Sequence, residues 1–408
     1  MKKKESGRQN SQFSIPNSQF FSNWRRWLNT LSPVIALFVV FELFVLIAPS
    51  SFATARNMEM IARQTTIVGV AALGMTLVII SGGIDLSVGS IVALSTVVIA
   101  WLLQHIGTNP VIEGIAVGAV INLFGIIIFI LMYKLLRHVG MNPLIAAVGG
   151  VAAVGFYWYL GRTPIIRLAL HGEMNTLIAA LGGVAAAAFF GLLSGILITR
   201  LRVVPFIVTL GMMLVVRGAA KGIGREQKID VDPAQLRWLD ELLASVPAER
   251  SWMLLPPGVW MMIFLAIGMA ALLRYTRLGR HTFAIGSNEQ TARLCGVAVE
   301  RVKVLVYTLC GAFAGLAGLM QFSRLTVGDP TVAVGLELNV IAAVVIGGGS
   351  LAGGEGSILG TLVGALIMTV IASGCTQRGY PNWVQEIITG SIIVIAVALD
   401  RLRHRRTA

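Results

Sequence analysis

The stretch Gly82-Gly83-Ile84-Asp85-Leu86-Ser87-Val88-Gly89-Ser90 sets one carboxylate, two hydroxyls and three glycines between two apolar runs, 65–80 and 91–103. In a bilayer a glycine-rich interruption is tolerated only where its backbone is buried in protein or lines a cavity. A carboxylate at the centre of a lipid-facing helix costs about 2.5–3.5 kcal/mol, so such groups turn toward protein or water. These residue types point to a polar path through a membrane protein, with Gly82, Gly83, Asp85, Ser87 and Gly89 as candidate lining residues. The alternative is a polar turn between two spans. There Asp85 is solvated, and Ser87 or Ser90 caps the next helix.

A second cluster, 347–356, carries six glycines flanked by apolar runs 338–346 and 358–372. Its Val345-Ile346-Gly347-Gly348-Gly349 and Gly356-Ser357-Ile358 echo Val78-Ile79-Ile80-Ser81-Gly82-Gly83 and Gly89-Ser90-Ile91. Paired glycine-interrupted spans in two halves are a pointer to a transport pathway. On this reading Gly347, Gly348 and Gly349 join the candidate lining. Helix packing through small residues is the competing explanation.

Other chemistries lack their residues. No Gly-Lys-Ser/Thr core of a phosphate-binding loop occurs, so this chain does not bind ATP in that way. No His-Glu-x-x-His or nucleophile–base pair is visible, which disfavours an intramembrane enzyme and leaves no catalytic residue to name. Cys295, Cys310 and Cys375 have no paired-ligand spacing; no metal site is expected, and the three read as small buried residues. Ion coupling would draw on carboxylates within spans, where Glu42, Asp85 and Glu337 are the candidates.

The elements that must position these groups are apolar helices. The chain has 408 residues, 56% of them hydrophobic and 12% charged, with mean hydropathy +0.81, which excludes a soluble domain. Its net charge of +13 sits at span ends and tails, among them Lys2, Lys3, Lys4, Arg25, Arg26, Arg401 and Arg403. That placement follows the positive-inside rule and does not indicate nucleic acid. The expected fold is all-α and polytopic, with about twelve transmembrane helices, some broken. Residues 1–30 read as a cytoplasmic tail, 31–400 as the membrane domain and 401–408 as a basic cytoplasmic tail. Alternation places the acid-balanced loop 221–252 outside and the basic loop 274–303 inside, with both termini cytoplasmic. Residues 50–63 read as an outer loop or short surface helix, and Arg162 and Arg167 as loop residues before a span at 177–198.

Within 274–303, Ser287 or Asn288 can cap a short helix over 289–294, which Gly296 then ends. A compact helix held near the membrane can dock into a groove of a soluble partner. A basic loop that only obeys the charge rule is the plainer reading.

Four stretches carry a resemblance. They are Gly82-Gly83-Ile84-Asp85-Leu86-Ser87-Val88-Gly89-Ser90; Pro205-Phe206-Ile207-Val208-Thr209-Leu210-Gly211-Met212; Ala284-Ile285-Gly286-Ser287-Asn288 with Ala292, Gly296 and Val297; and the run Val345-Ile346-Gly347-Gly348-Gly349-Ser350-Leu351-Ala352-Gly353-Gly354. In this order they resemble the sugar-type permease subunits of bacterial ABC importers, from residue 31 to the C-terminus. The resemblance implies a homo- or heterodimer of permeases in the inner membrane. It also implies a separate cytoplasmic ATPase that holds ATP and magnesium, and a periplasmic or lipid-anchored sugar-binding protein. It implies that Gly286, Asn288, Glu289, Ala292, Arg293, Gly296 and Val297 form the loop that contacts the ATPase. The chain departs from the pattern at 108–172, an apparent insert read as an extra helical hairpin on a core of about ten spans, and at Arg293. The reading is a non-enzymatic translocation subunit for a monosaccharide or similar solute; the rival is an ion-coupled secondary transporter.

Overall fold

The computed structural model describes residues 18–106, 164–236, 238–246 and 253–405. The described helices are α1 (Ser18–Ile47), α2 (Ala55–Ile80), α3 (Val88–Ile106), α4 (Pro164–Leu201), α5 (Pro205–Ile223), α6 (Pro257–Tyr275), α7 (Arg277–Ser287), α8 (Glu289–Leu294), α9 (Val299–Leu325), α10 (Leu336–Ile346), α11 (Ile358–Gln377) and α12 (Asn382–Arg405). Short helical turns at Ser50–Ala53, Pro233–Leu236 and Trp238–Glu241 interrupt the loops. A two-residue antiparallel ladder joins β1 (Ile229–Asp230) to β2 (Val327–Gly328).

Among the described residues seven helices are long and apolar enough to cross a membrane: α2, α3, α5, α6, α9, α11 and the part of α4 from Asn175. The count of about twelve is therefore not reached there. Apolar portions of α1 and α12, and the eleven-residue α10, are shorter. Residues 107–163, most of the apparent insert, lie outside the described residues, as does most of the 1–30 tail.

Three sequence boundaries need correction. The stretch 50–63, read as an outer loop or short surface helix, is neither a loop nor a separate helix for most of its length, because α2 starts at Ala55 and runs unbroken to Ile80. Arg167 is not in a loop: α4 begins at Pro164, where a first-turn proline costs no hydrogen bond, and residues 164–172 belong to it. The basic stretch 274–303 is mostly helical, holding α7, α8 and the start of α9.

α2 is the central helix, with 89% of its most apolar window buried, against 22% for α5 at the periphery. Around α2 pack α9, α11, α10 and α6, while α3 and α4 close on the other face of α9. Lipid gives no hydrophobic drive between helices, so close backbone approach must supply the packing. Gly191 and Gly311 do this between α4 and α9, where an added Cβ on Gly311 would stand 2.9 Å from the Gly191 Cα.

α9 fixes two ends. Its 27 residues span ~40 Å at 1.5 Å per residue, from the α8 turn to β2. We call these the Asn288 end and the Asp230 end. At the Asp230 end, Gln104 Nε2 donates to the Asp230 carbonyl at 2.7 Å and Thr176 Oγ1 donates to that of Gln235 at 3.3 Å. The last turns of α1 and α11 also meet, Phe44 lying against Gly374 and Ser51 Oγ donating to Gln377 Oε1 at 2.6 Å.

Candidate functional site

α2 ends in a left-handed cap. Ser81 N–H donates to the Leu77 carbonyl, Gly82 to Ile79 and Gly83 to Val78, with Gly82 at φ +77°. This Schellman pattern needs a residue that tolerates positive φ, and glycine does so without strain. α10 ends in the same way. Gly347 donates to Ala343, Gly348 to Val345 and Gly349 to Val344, with Gly348 at φ +92°. The sequence echo over 78–83 and 345–349 is thus one cap built twice. The second half of the echo is not. Gly89 and Ser90 lie inside the first turn of α3, whereas Ser357 precedes α11 and caps it, its Oγ accepting from Gly360 N–H at 3.4 Å.

Asp85 is fully buried, which removes the solvated-turn reading. Its Oδ1 accepts from the Ser87 N–H at 2.9 Å and from Ser87 Oγ at 2.6 Å, so Ser87 serves the carboxylate and its hydroxyl is not a cap. Asp85 Oδ2, Ser90 Oγ, Tyr307 Oη and Glu337 Oε2 are buried with no hydrogen-bond partner in the structure. Tyr307 closes over the break: a Cβ on Gly83 would strike its hydroxyl. Glu337 does the same at Gly89, whose missing side chain leaves room for the carboxylate and for the Ala333 carbonyl. The sequence reading missed Tyr307 and Cys310 as neighbours of Asp85; a tyrosine in the interior of an apolar span was the available signal.

The Asn288 end holds the capped helix. Of the two candidate caps, Asn288 is used: its Oδ1 accepts from Thr291 N–H at 2.9 Å. Val297 N–H donates to the Ala292 carbonyl at 3.1 Å, with Gly296 at φ +83°. Glu289 pairs with Arg293 and, at 2.6 Å, with Lys303; Arg293 also pairs with Glu300. Hydrogen bonding and charge from Glu300 hold the Arg293 guanidinium above its usual value. These contacts brace α8 against α9.

The seven coupling candidates divide by direction. Ala292 is buried and Val297 half-buried, while Asn288, Glu289, Arg293 and Gly296 are exposed. Leu294, which sequence reading did not single out, is 88% exposed. Cys295 is exposed, contrary to the expectation that all three cysteines are buried.

Gly286 does something else. It fills the junction between the two glycine-rich breaks: a Cβ there would strike the Ile80 carbonyl and come within 2.5 Å of the Gly354 nitrogen. Gly354 N–H donates to Ile80 O at 2.9 Å. A Cβ on Gly353 would stand 2.7 Å from Gly286 O and 3.0 Å from the Gly82 Cα. Both breaks and α7 therefore meet backbone to backbone. Among the pathway candidates, Gly82 and Gly348 are exposed, while Gly83, Asp85, Ser87, Gly89, Gly347 and Gly349 are buried. Among the described residues no group of three His, Cys, Asp or Glu side chains could hold a metal ion.

Comparison with known proteins adds the following. A family model described as branched-chain amino acid transport system / permease component matches residues 145–397. The ribose import permease protein of Escherichia coli K12 is 32% identical over 394 residues, covering 96% of this chain and 99% of its own length. The ribose import permease protein of Bacillus subtilis is 33% identical over 375 residues, 92% of this chain and 93% of its own. The L-arabinose ABC transporter permease protein of Azospirillum brasilense is 31% identical over 380 residues, 93% and 89% of the two chains. No solved structure matches.

Proposed function

The chain belongs to the branched-chain amino acid transport system / permease component family, and from that premise we propose that it is the membrane-embedded permease of an ATP-driven sugar importer. Its solute is a monosaccharide or a similar small polar molecule. A separate ATPase supplies the energy, an external binding protein delivers the solute, and a second permease chain completes the path. The likeness to sugar permeases along nearly the whole chain supports the class.

The backbone junction at Gly286 carries the mechanism. α8 is short, capped, braced and exposed, which suits docking into a groove of a soluble partner. It is the next helix after α7, and α7 touches the ends of α2 and the 347–356 segment through Gly286. A push on α8 by a closing ATPase reaches both breaks with no flexible element between. The breaks then rearrange around Asp85 and open the path to each side in turn.

The basic residues Arg200, Arg202, Arg274, Arg280 and Lys303 share the Asn288 end, which we assign to the cytoplasm. The Asp230 end, with balanced charge, is external. α3 ends and the Thr176 region of α4 begins on that same side, which supports an even number of crossings between them and about twelve in total.

The test is co-purification of the chain with its ATPase, and ATP hydrolysis in proteoliposomes with sugar-loaded binding protein. Sugar-stimulated hydrolysis by the assembled complex is expected. Uptake by the isolated permease driven by a proton or sodium gradient would overturn the reading in favour of a secondary transporter.

A further inference from the structure

α5 carries a charged side chain, Arg217, ahead of its last turn, where Lys221 is the other charged residue. Arg217 lies twelve residues from Pro205, and its Nη1 donates to the carbonyls of Pro330 at 2.9 Å and Val332 at 2.6 Å. These acceptors belong to the irregular segment 326–335, where Thr326, Ala333 and Gly335 all have positive φ. An arginine in a membrane helix and a run of unladdered carbonyls are each costly there; together they satisfy one another.

Further ties join the same two pieces. Asp329 Oδ1 accepts from Thr331 N–H and Oγ1, and its Oδ2 pairs with Lys228 at 3.2 Å. β1, which follows α5, pairs with β2, which opens the segment. A Cβ on Gly224, just past α5, would stand 3.7 Å from Pro330 Cγ. The segment then runs directly into α10, whose glycine cap, Gly347–Gly349, leads on to Gly353 and Gly354, the residues that meet Gly286.

We propose that Arg217 is a positioning residue that fastens α5 to the 326–335 segment through two backbone carbonyls, so that α5, this segment and α10 move as one body in the transport cycle. The proposal deepens the importer reading, since α10 connects this body to the junction beneath α8. Glu337 is near enough to Arg217 for their charges to interact, but its Oε2 has no hydrogen-bond partner. Fastening by carbonyls and neutralisation of Glu337 are therefore separable roles.

The first measurement needs no transport and stands if the importer reading fails. Amide exchange of residues 331–336 is followed in the chain in lipid nanodiscs. Arg217→Met should speed that exchange on the order of tenfold, because the opening free energy falls. Arg217→Met with Glu337→Gln should remain fast. Exchange unchanged in the single variant, or restored in the double, would overturn the proposal.

The second uses the assembled complex, without the native cysteines. Asp230 and Val327 are direct ladder partners, and the Cα atoms of such a pair lie about 4.5–5.5 Å apart, within disulfide reach. The Asp230→Cys, Val327→Cys pair should oxidise to the same extent with and without ATP plus vanadate. A disulfide that forms in only one nucleotide state, in this otherwise wild-type arginine background, would mean that the two pieces separate and would sink the proposal even if Arg217→Met fails to fold. Failure of the chain to assemble with any ATPase would count against the importer reading and leave the exchange result standing.

Discussion

The Gly354 N–H donates to the Ile80 carbonyl at 2.9 Å, tying the end of α2 to a segment 274 positions later in the chain. Ile80 O is the last carbonyl of α2 and has no helical donor ahead of it. Gly354 supplies one, at φ +76°, with Gly286 seated beside both. The bond and the glycine beside it make the contact between the first break, the second break and α7.

Gly286→Val should break that contact while leaving α8 capped by Asn288. The side chain would meet backbone on two sides and has nowhere to move. Overpacking of this kind costs about 1–3 kcal/mol. The expected result is a folded, membrane-inserted permease that still binds its ATPase but whose uptake is uncoupled from hydrolysis. Wild-type coupling in this variant would remove Gly286 from the mechanism.

Gly296 faces open space, so Gly296→Trp adds bulk outward without an internal clash. Its positive φ adds about 1–2 kcal/mol of local strain. Co-purification with the ATPase should be lost. Leu294→Asp, at the most exposed apolar side chain of α8, should act in the same direction. Glu289→Ala should have a smaller effect, because exposed ion pairs contribute only ~0–1 kcal/mol. Full assembly and full sugar-stimulated hydrolysis in both Gly296→Trp and Leu294→Asp would show that the ATPase docks elsewhere.

Asp85→Asn keeps an oxygen that can accept from Ser87 N–H and Oγ, whereas Asp85→Leu leaves both donors buried and unpaired. Each unpaired donor costs about 1–3 kcal/mol. Thermal unfolding in detergent should therefore rank wild type and Asn close together and Leu well below. Equal stability of Asn and Leu would mean that these two bonds do not hold the break.

Single cysteines at Asp232 and Asn288 should label from opposite faces of the membrane. The background must lack the native three, since Cys295 is exposed. The two positions lie at opposite ends of α9, ~40 Å apart by its length. Labelling of both from outside the cell would overturn the assignment of the Asn288 end to the cytoplasm.

The sequence by itself determined the membrane class, the apolar helices, the Asn288–Gly296 turn and the two glycine-rich breaks. Those are local properties: hydropathy over a span, a capping side chain three residues from its acceptor, a glycine where φ must be positive. The start of α2 was missed because Arg56, Asn57, Glu59 and Arg63 look like a loop by hydropathy, while helix propensity and packing carry the helix through them. The tertiary structure alone decided that Asp85 is buried, that Arg217 serves carbonyls more than a hundred residues away, and that Gly286 points into the junction while Leu294 points out. In each case the partner is a backbone group or a helix face remote in the chain, and no spacing in the sequence encodes which remote carbonyl a side chain or a missing Cβ will meet.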